Sequence, residues 1–409
     1  MVPHIPPLTF GPGTFDFHHG LDTAELRRQR AERARTVFKE HEIAVALVAG
    51  PTYGRYLTGL RGPEVVPDTW YVLFPVEGDT VVFTHAGYVS TMPPVAPWIS
   101  EWRVARTVLR GIPGPQASRE EAVKFAADIK AELDRLQLAD EALAVAGISP
   151  SFRNALEEAG VTVIPADDIL LQAMAVKTPE EITCLRMGGA ITDRMWASMA
   201  RACYAGMTDW ELAAVGKVAA VSAGADTVNV GFRSGPLTSE RGFKGSNQFI
   251  VPGDLIIGQV CGTSFLSYRT CVYRTFVVGR EPTKQEIGWM DRLQERLLAV
   301  ISELRPGNLT SDAAKHFPPA SEWGYDDEVE VLTIEIGHGI GMHAYEQPVI
   351  NRQWSLEHPQ EITEGMVVAV EGREGIPRES TVRLEQMVIV TKEGPQLIDR
   401  YHTGITPIG

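Results

Sequence analysis

The chain has 409 residues, 44% hydrophobic and 22% charged, with 38 Gly and 27 Pro. That balance excludes coiled coil, collagen and disorder as the main state, and at roughly 150 residues per domain it predicts two or three domains. Its 38 Lys and Arg against 52 Asp and Glu give a formal net charge of −14, which argues against nucleic acid and anionic membrane surfaces as partners; no apolar run reaches the ~20 residues that span a bilayer.

Residues 1–20, rich in Pro, Gly, His and Phe, read as an irregular arm without the basic and apolar regions of a secretory signal. Leu21 to His41 carries apolar residues at helical intervals, and Ile43–Ala49 reads as a buried strand ended by Gly50-Pro51. A loop holding Tyr56-Leu57-Thr58-Gly59 leads to strands at Trp70–Pro75 and Val81–Thr84, a helix at about Ser118–Leu136 and a strand at Leu143–Ala146. Strands alternating with helices predict an α/β domain over residues 1–172. The texture changes near Lys177-Thr178-Pro179-Glu180-Glu181, where Thr178, Pro179 and Glu181 form a capping-box pattern. Helices to about Tyr204 and over Asp209–Ala223 follow. Apolar strands are then expected at Asp254–Cys261, Cys271–Gly279, Val329–Ile336, Met366–Val370 and Thr381–Thr391, interrupted by a helix at about Lys284–Leu304. The second domain, 173–409, is therefore α+β. Cys184, Cys203, Cys261 and Cys271 show no CxxC spacing and are too few for a disulfide scaffold, so the expected location is a reducing cytoplasm.

Chemistry concentrates late in the chain. His338 and His343 lie in Gly337-His338-Gly339-Ile340-Gly341-Met342-His343, where glycines would let backbone and ligand approach closely, or where the histidine is a turn residue. Glu371 ends the apolar run Met366–Val370, and period two puts Arg383 and Glu385 on one face of a strand. Buried carboxylates need a metal, a proton or a cation beside them; a pair of structural salt bridges is the alternative.

Taken in order, Lys177-Thr178-Pro179-Glu180-Glu181, Pro252-Gly253-Asp254, Tyr268 with Arg274-Thr275-Phe276, Gly337-His338-Gly339-Ile340-Gly341, Gly365 through Glu371, and Arg383-Leu384-Glu385 resemble the pita-bread superfamily of Xaa-Pro dipeptidase, aminopeptidase P and creatinase. The resemblance implies an α/β N-terminal domain before a pita-bread catalytic domain, and a homodimer whose N-terminal domain reaches the partner's active site. The peptidases of that family hold two divalent metals with Asp, Asp, His, Glu and Glu. The His and both Glu carry over to His338, Glu371 and Glu385. The second Asp falls on Cys271 and the first, eleven residues earlier, on Val260; a second family histidine falls on Tyr345. A further family histidine has no match between Ser234 and Gly253, where Arg241 and Lys244 stand.

Without the two aspartates an oxygen-rich dinuclear centre is not expected. The reading taken is that no cofactor binds. The alternative is one divalent Zn, Fe or Mn ion on Cys271, His338, Glu371 and Glu385, and Cys271 could equally line a substrate pocket. Creatinase, the amidinohydrolase of this fold, works without metal, so the resemblance implies a creatinase-like hydrolase cleaving a C–N bond of a small carboxylated or zwitterionic compound. Glu371 and Glu385 would move protons with His338, while Tyr273 and Tyr345 would offer hydroxyls. If Cys271 faces the pocket, so do Arg269 and Tyr273. Arg269 would then grip a substrate carboxylate, or pair with Glu371 or Glu385. Tyr268, His343, Arg383 and, from the N-terminal domain beside Tyr56 and Trp70, Arg61 complete the expected substrate contacts; Arg61 could also be a plain loop residue. A lyase of the dimethylsulfoniopropionate type, an Xaa-Pro peptidase with an altered mononuclear site, and a non-catalytic binding module are the alternatives.

Overall fold

The computed structural model describes residues 21–62, 69–239, 248–332, 334–377 and 379–409. The expected arm at 1–20, and Arg241 and Lys244, lie outside the described residues.

The N-terminal part runs α1 (Thr23–Glu40), β1 (Val45–Ala49), α2 (Pro51–Thr58), β2 (Tyr71–Pro75), β3 (Val81–Thr84), α3 (Ala86–Thr91), β4 (Glu101–Val104), α4 (Pro115–Arg135), β5 (Leu143–Ala146), α5 (Pro150–Glu158), β6 (Val163–Pro165) and α6 (Asp167–Ala175). Its six strands form one sheet in the order β4-β3-β2-β1-β5-β6. The central strand β1 is antiparallel to β2 and parallel to β5; its run Val45-Ala46-Leu47-Val48 is apolar on both faces because both are covered. Tyr56-Leu57-Thr58, expected in a loop, ends α2: Pro51 at its first turn starts the helix and Gly59, at φ +74°, stops it. The strands β4 and β6 are short and only partly buried, so no apolar run marks them. Position 172 falls inside α6.

The second part runs α7 (Pro179–Ala202), α8 (Asp209–Val221), β7 (Gly231–Ser234), β8 (Leu255–Phe265), β9 (Tyr268–Val278), α9 (Lys284–Ser302), α10 (Thr310–Ala314), β10 (Ile336–Gly339), β11 (Glu346–Ile350), α11 (Arg352–Ser355), β12 (Val367–Ile376), β13 (Ser380–Ile389), β14 (Gln396–Leu397) and β15 (Thr406–Ile408). Capping boxes open α7 at Thr178, α8 at Thr208 and α9 at Thr283. The strands make a sheet β11-β10-β12-β13-β14 and a sheet β15-β9-β8-β7, the pita-bread arrangement. The expected strand over Val329–Ile336 is instead a short 3₁₀ turn, Glu328–Val331, before β10, because the Asp327 side chain caps the backbone N–H of Val329. The β12–β13 hairpin runs past the strand end expected at Val370, with Arg373 opposite Arg383 and Ile376 opposite Ser380.

The two sheets meet where β13 lies against β9. Thr275 Oγ1 donates to the Arg383 carbonyl at 2.8 Å and accepts from the Arg383 N–H at 2.9 Å. Arg274 Nη1 donates to the Glu385 carbonyl at 2.7 Å, and its Nη2 pairs with Asp399 at 2.6 Å. These bonds fix β13 over β9 and so place Glu385 above the β8–β9 hairpin. One apolar cluster runs without a break from α1 and the N-terminal sheet through α6 to α7, β8 and β9, and a second fills the space beneath α9. Among the described residues no helix is long and apolar enough to cross a membrane.

Candidate active site

Glu371 and Glu385 stand directly opposite each other across the β12–β13 ladder. Two residues back along β13, Arg383 shares the face of Glu385, as period two requires, and its guanidinium forms a buried ion pair with Glu371. The same guanidinium carbon lies 4.0 Å from the centre of the Tyr273 ring, a cation–π contact from the sheet below. On the other side Ile336 of β10 is opposite Glu371, so His338 projects from the same face. Its Nε2 lies 3.5 Å from Glu385 Oε1, longer than a direct hydrogen bond, and its Nδ1 is 3.1 Å from the Gly339 carbonyl. Among the described residues both Nε2 and Oε1 are buried without a hydrogen-bond partner. Burial first, and Glu371 second, push the Glu385 carboxyl up from its ordinary value. For His338 burial opposes the charged form, but Glu385 and Glu371 outweigh it and raise the imidazole.

Beneath them, Cys261 of β8 and Cys271 of β9 are in register across the second hairpin. The Cys261 Sγ lies 3.7 Å from Glu385 Oε2, and burial raises both thiols. This corrects the expectation for the first family aspartate. Val260 pairs with Val272 on the opposite face, where it is fully buried in the apolar core. The ladder shifts register between Cys261 and Thr263, and Gly262, at φ +98°, takes up the shift. The site therefore presents two cysteines, ten positions apart.

The other expected residues divide. Tyr273 faces the site, its hydroxyl donating to Gln259 at 3.1 Å, and burial pushes it upward. Tyr345 is half-exposed and stacks on His338 with ring centres 4.1 Å apart. Arg269, partly buried, donates from Nε to the Met342 carbonyl at 2.9 Å; among the described residues it pairs with neither Glu371 nor Glu385. That pairing falls to Arg383. Tyr268 is no substrate contact: its hydroxyl donates to Glu181 at 2.9 Å and accepts from Arg30 at 3.3 Å, deep in the core on the other face of β9. His343 packs edge-on against Tyr53, ring centres 5.1 Å apart, and burial lowers it. Arg61 is exposed and its Nη2 lies 3.5 Å from the Asp226 carbonyl of its own chain. Tyr56 and Trp70 are core residues. Gly339 admits a neighbouring strand rather than a ligand, since a Cβ there would sit 2.1 Å from the Gln347 carbonyl of β11.

The donor atoms of Cys261, Cys271 and Glu385 lie within 4.8 Å of one another, as do those of His338, Glu371 and Glu385. The expected mononuclear set of Cys271, His338, Glu371 and Glu385 is thus two groups sharing Glu385. Two thiols and an arginine-bound Glu371 do not fit a dinuclear oxygen-rich centre; the thiol group fits one softer ion.

The family description for Metallopeptidase family M24 matches residues 183–392, more than half of the chain. The chain belongs to metallopeptidase family M24. Among curated proteins, the probable dipeptidase PepE of Mycobacterium tuberculosis is 29% identical over 58% of this chain and 61% of its own length. The Xaa-Pro dipeptidase of Pyrococcus furiosus is 26% identical over 57% of this chain and 66% of its own. The matches thus span less than two thirds of either relative. The fold is that of an Xaa-Pro dipeptidase structure from Bacillus anthracis, with TM-score 0.74 at 21% identity over 95% of this chain and 100% of that one. A recombinant prolidase from Thermococcus sibiricus gives TM-score 0.76 at 20% identity over 93% and 99%. M24 membership could be read in the motif order; Cys261 could not be read by carrying intervals over. Its signal was strand parity across a hairpin with Cys271, which becomes visible only once the turn is placed.

Proposed function

We propose that this M24 protein hydrolyses a C–N bond in a small carboxylated or zwitterionic compound. One observation carries the reading: the facing glutamates have unlike partners, Arg383 for Glu371 and His338 for Glu385. Arg383 holds Glu371 in place and leaves Glu385 Oε1 and His338 Nε2, both buried and without a hydrogen-bond partner among the described residues, to meet a reacting molecule. Glu385 takes a proton from water as the water oxygen bonds to the substrate carbon, and a proton from His338 Nε2 completes the N–H of the departing amine. Arg269, at the hairpin end beside Gly262, supports selection for a carboxylate, and the half-exposed Tyr345, stacked on the buried His338, offers a ring and hydroxyl.

The metal-free, creatinase-like form of this reading depended on a position without a donor. With Cys261 there, the donor set favours a bound ion, which would supply Lewis acidity toward water or a carbonyl oxygen. A second reading, hydrolysis of Xaa-Pro dipeptides, is supported by the names of the curated relatives.

The test is turnover in ¹⁸O-labelled water, followed by mass spectrometry, of Xaa-Pro dipeptides beside N-acyl and amidino amino acids. Label in the product of an acyl or amidino compound, lost in Glu385→Gln, is the expected result. Turnover confined to Xaa-Pro dipeptides selects the second reading. An unlabelled alkene product overturns both in favour of elimination.

A further inference from the structure

We propose that Cys261, Cys271 and Glu385 form a three-donor site for a single thiophilic divalent cation, zinc foremost, and that the Arg383 guanidinium stands where a second metal would otherwise balance Glu371. Three independent observations converge on it. The first is spacing. Metal bonds of about 2.0 Å to oxygen and 2.3 Å to sulfur at tetrahedral angles put ligand atoms roughly 3.4–3.8 Å apart. Cys261 Sγ and Glu385 Oε2 are 3.7 Å apart, and Cys271 completes a triangle with sides under 4.8 Å.

The second is the unpartnered polar atom. Glu385 is fully buried, yet among the described residues its Oε1 has no hydrogen-bond donor, a costly condition that a cation on the carboxylate relieves. The third is charge. Glu371 is already neutralised by Arg383, whereas among the described residues Glu385 has no basic partner except the 3.5 Å approach of His338. Binding would deprotonate both thiols, form two metal–sulfur bonds and release two protons to solvent.

Donor chemistry then selects the ion. Two thiolates and a carboxylate favour zinc, cobalt(II) or iron(II) over magnesium, calcium or manganese, which prefer all-oxygen shells. Three protein donors leave the fourth position for water or substrate, the pattern of catalytic rather than structural zinc. The inference is independent of the substrate, since it concerns metal identity and stoichiometry.

The full chain, purified under reducing conditions without chelator, should carry one zinc per chain by elemental analysis. After stripping, added cobalt(II) should give a near-ultraviolet thiolate-to-cobalt charge-transfer band. Cys261→Ser and Cys271→Ser should each lose most of that band, while Cys203→Ser keeps it. Should a serine variant misfold, wild-type protein decides: zinc should protect Cys261 from alkylation mapped by peptide mass spectrometry. Metal-free protein that shows no cobalt band, two ions per chain, a band surviving Cys261→Ser, or a disulfide between the two cysteines in place of metal would overturn the proposal.

Discussion

Arg383 of β13 reaches across the ladder to Glu371 of β12 while its guanidinium rests on the ring of Tyr273 from the opposing sheet. One side chain thus neutralises a buried acid and joins the two sheets at the site. Replacing it by Met would leave Glu371 buried and unpaired, a cost of about 3–5 kcal/mol. Urea denaturation should show that loss, together with collapse of turnover. Arg383→Lys should recover part of the stability but not the flat contact with Tyr273.

The Arg269 side chain donates to the Met342 carbonyl and is only partly buried. Arg269→Met should therefore change stability little. If it holds the substrate carboxylate, losing a charged hydrogen bond of about 1.5–3 kcal/mol raises KM at least tenfold with a smaller effect on kcat. An unchanged KM for every carboxylated substrate would remove Arg269 from the site.

Tyr268 gives the opposite pattern. Its hydroxyl links Arg30 of α1 to Glu181 of α7 in the core. Tyr268→Phe should destabilise the chain by about 1–3 kcal/mol, the cost of a buried group left unsatisfied, with kcat and KM unmoved. Thermal unfolding beside steady-state kinetics would separate these outcomes.

Glu335 sets a pH dependence away from the chemistry. It is buried beneath α9, where burial pushes its carboxyl up to about 8 even though Arg296 Nη1 donates to it at 2.9 Å. The folded chain holds a proton there that the unfolded chain releases at the ordinary carboxylate value of 4.5. Stability therefore falls as pH rises between these values and levels off above about 8, the reverse of the usual salt-bridged acid. In Glu335→Gln, the decline in Tm across that window should flatten.

Much of this was legible in advance. Buried strands such as β1 and β5 and the capping box at Thr178 carry strong local signals, and motif order gave His338, Glu371 and Glu385. Other features depended on neighbours. The outer half of β12 has no apolar run to mark it, because Glu374 is satisfied by Arg296 and Arg292 from α9 while Glu335 accepts from the Arg373 backbone N–H. Tyr268 looked functional because a buried tyrosine beside a motif gives no clue to which face it occupies. Cys261 was missed because a single shifted residue at Gly262 reverses parity, which an interval copied from relatives cannot register.

The unbroken apolar cluster from α1 to β9 has a mechanical consequence. The N-terminal part is not a cover hinged over a finished catalytic unit. Its removal would uncover the part of α7 that α1 packs against, along with the Arg30 end of the Tyr268 bridge. The two parts should melt as one calorimetric transition, and a chain beginning near residue 173 should aggregate rather than fold.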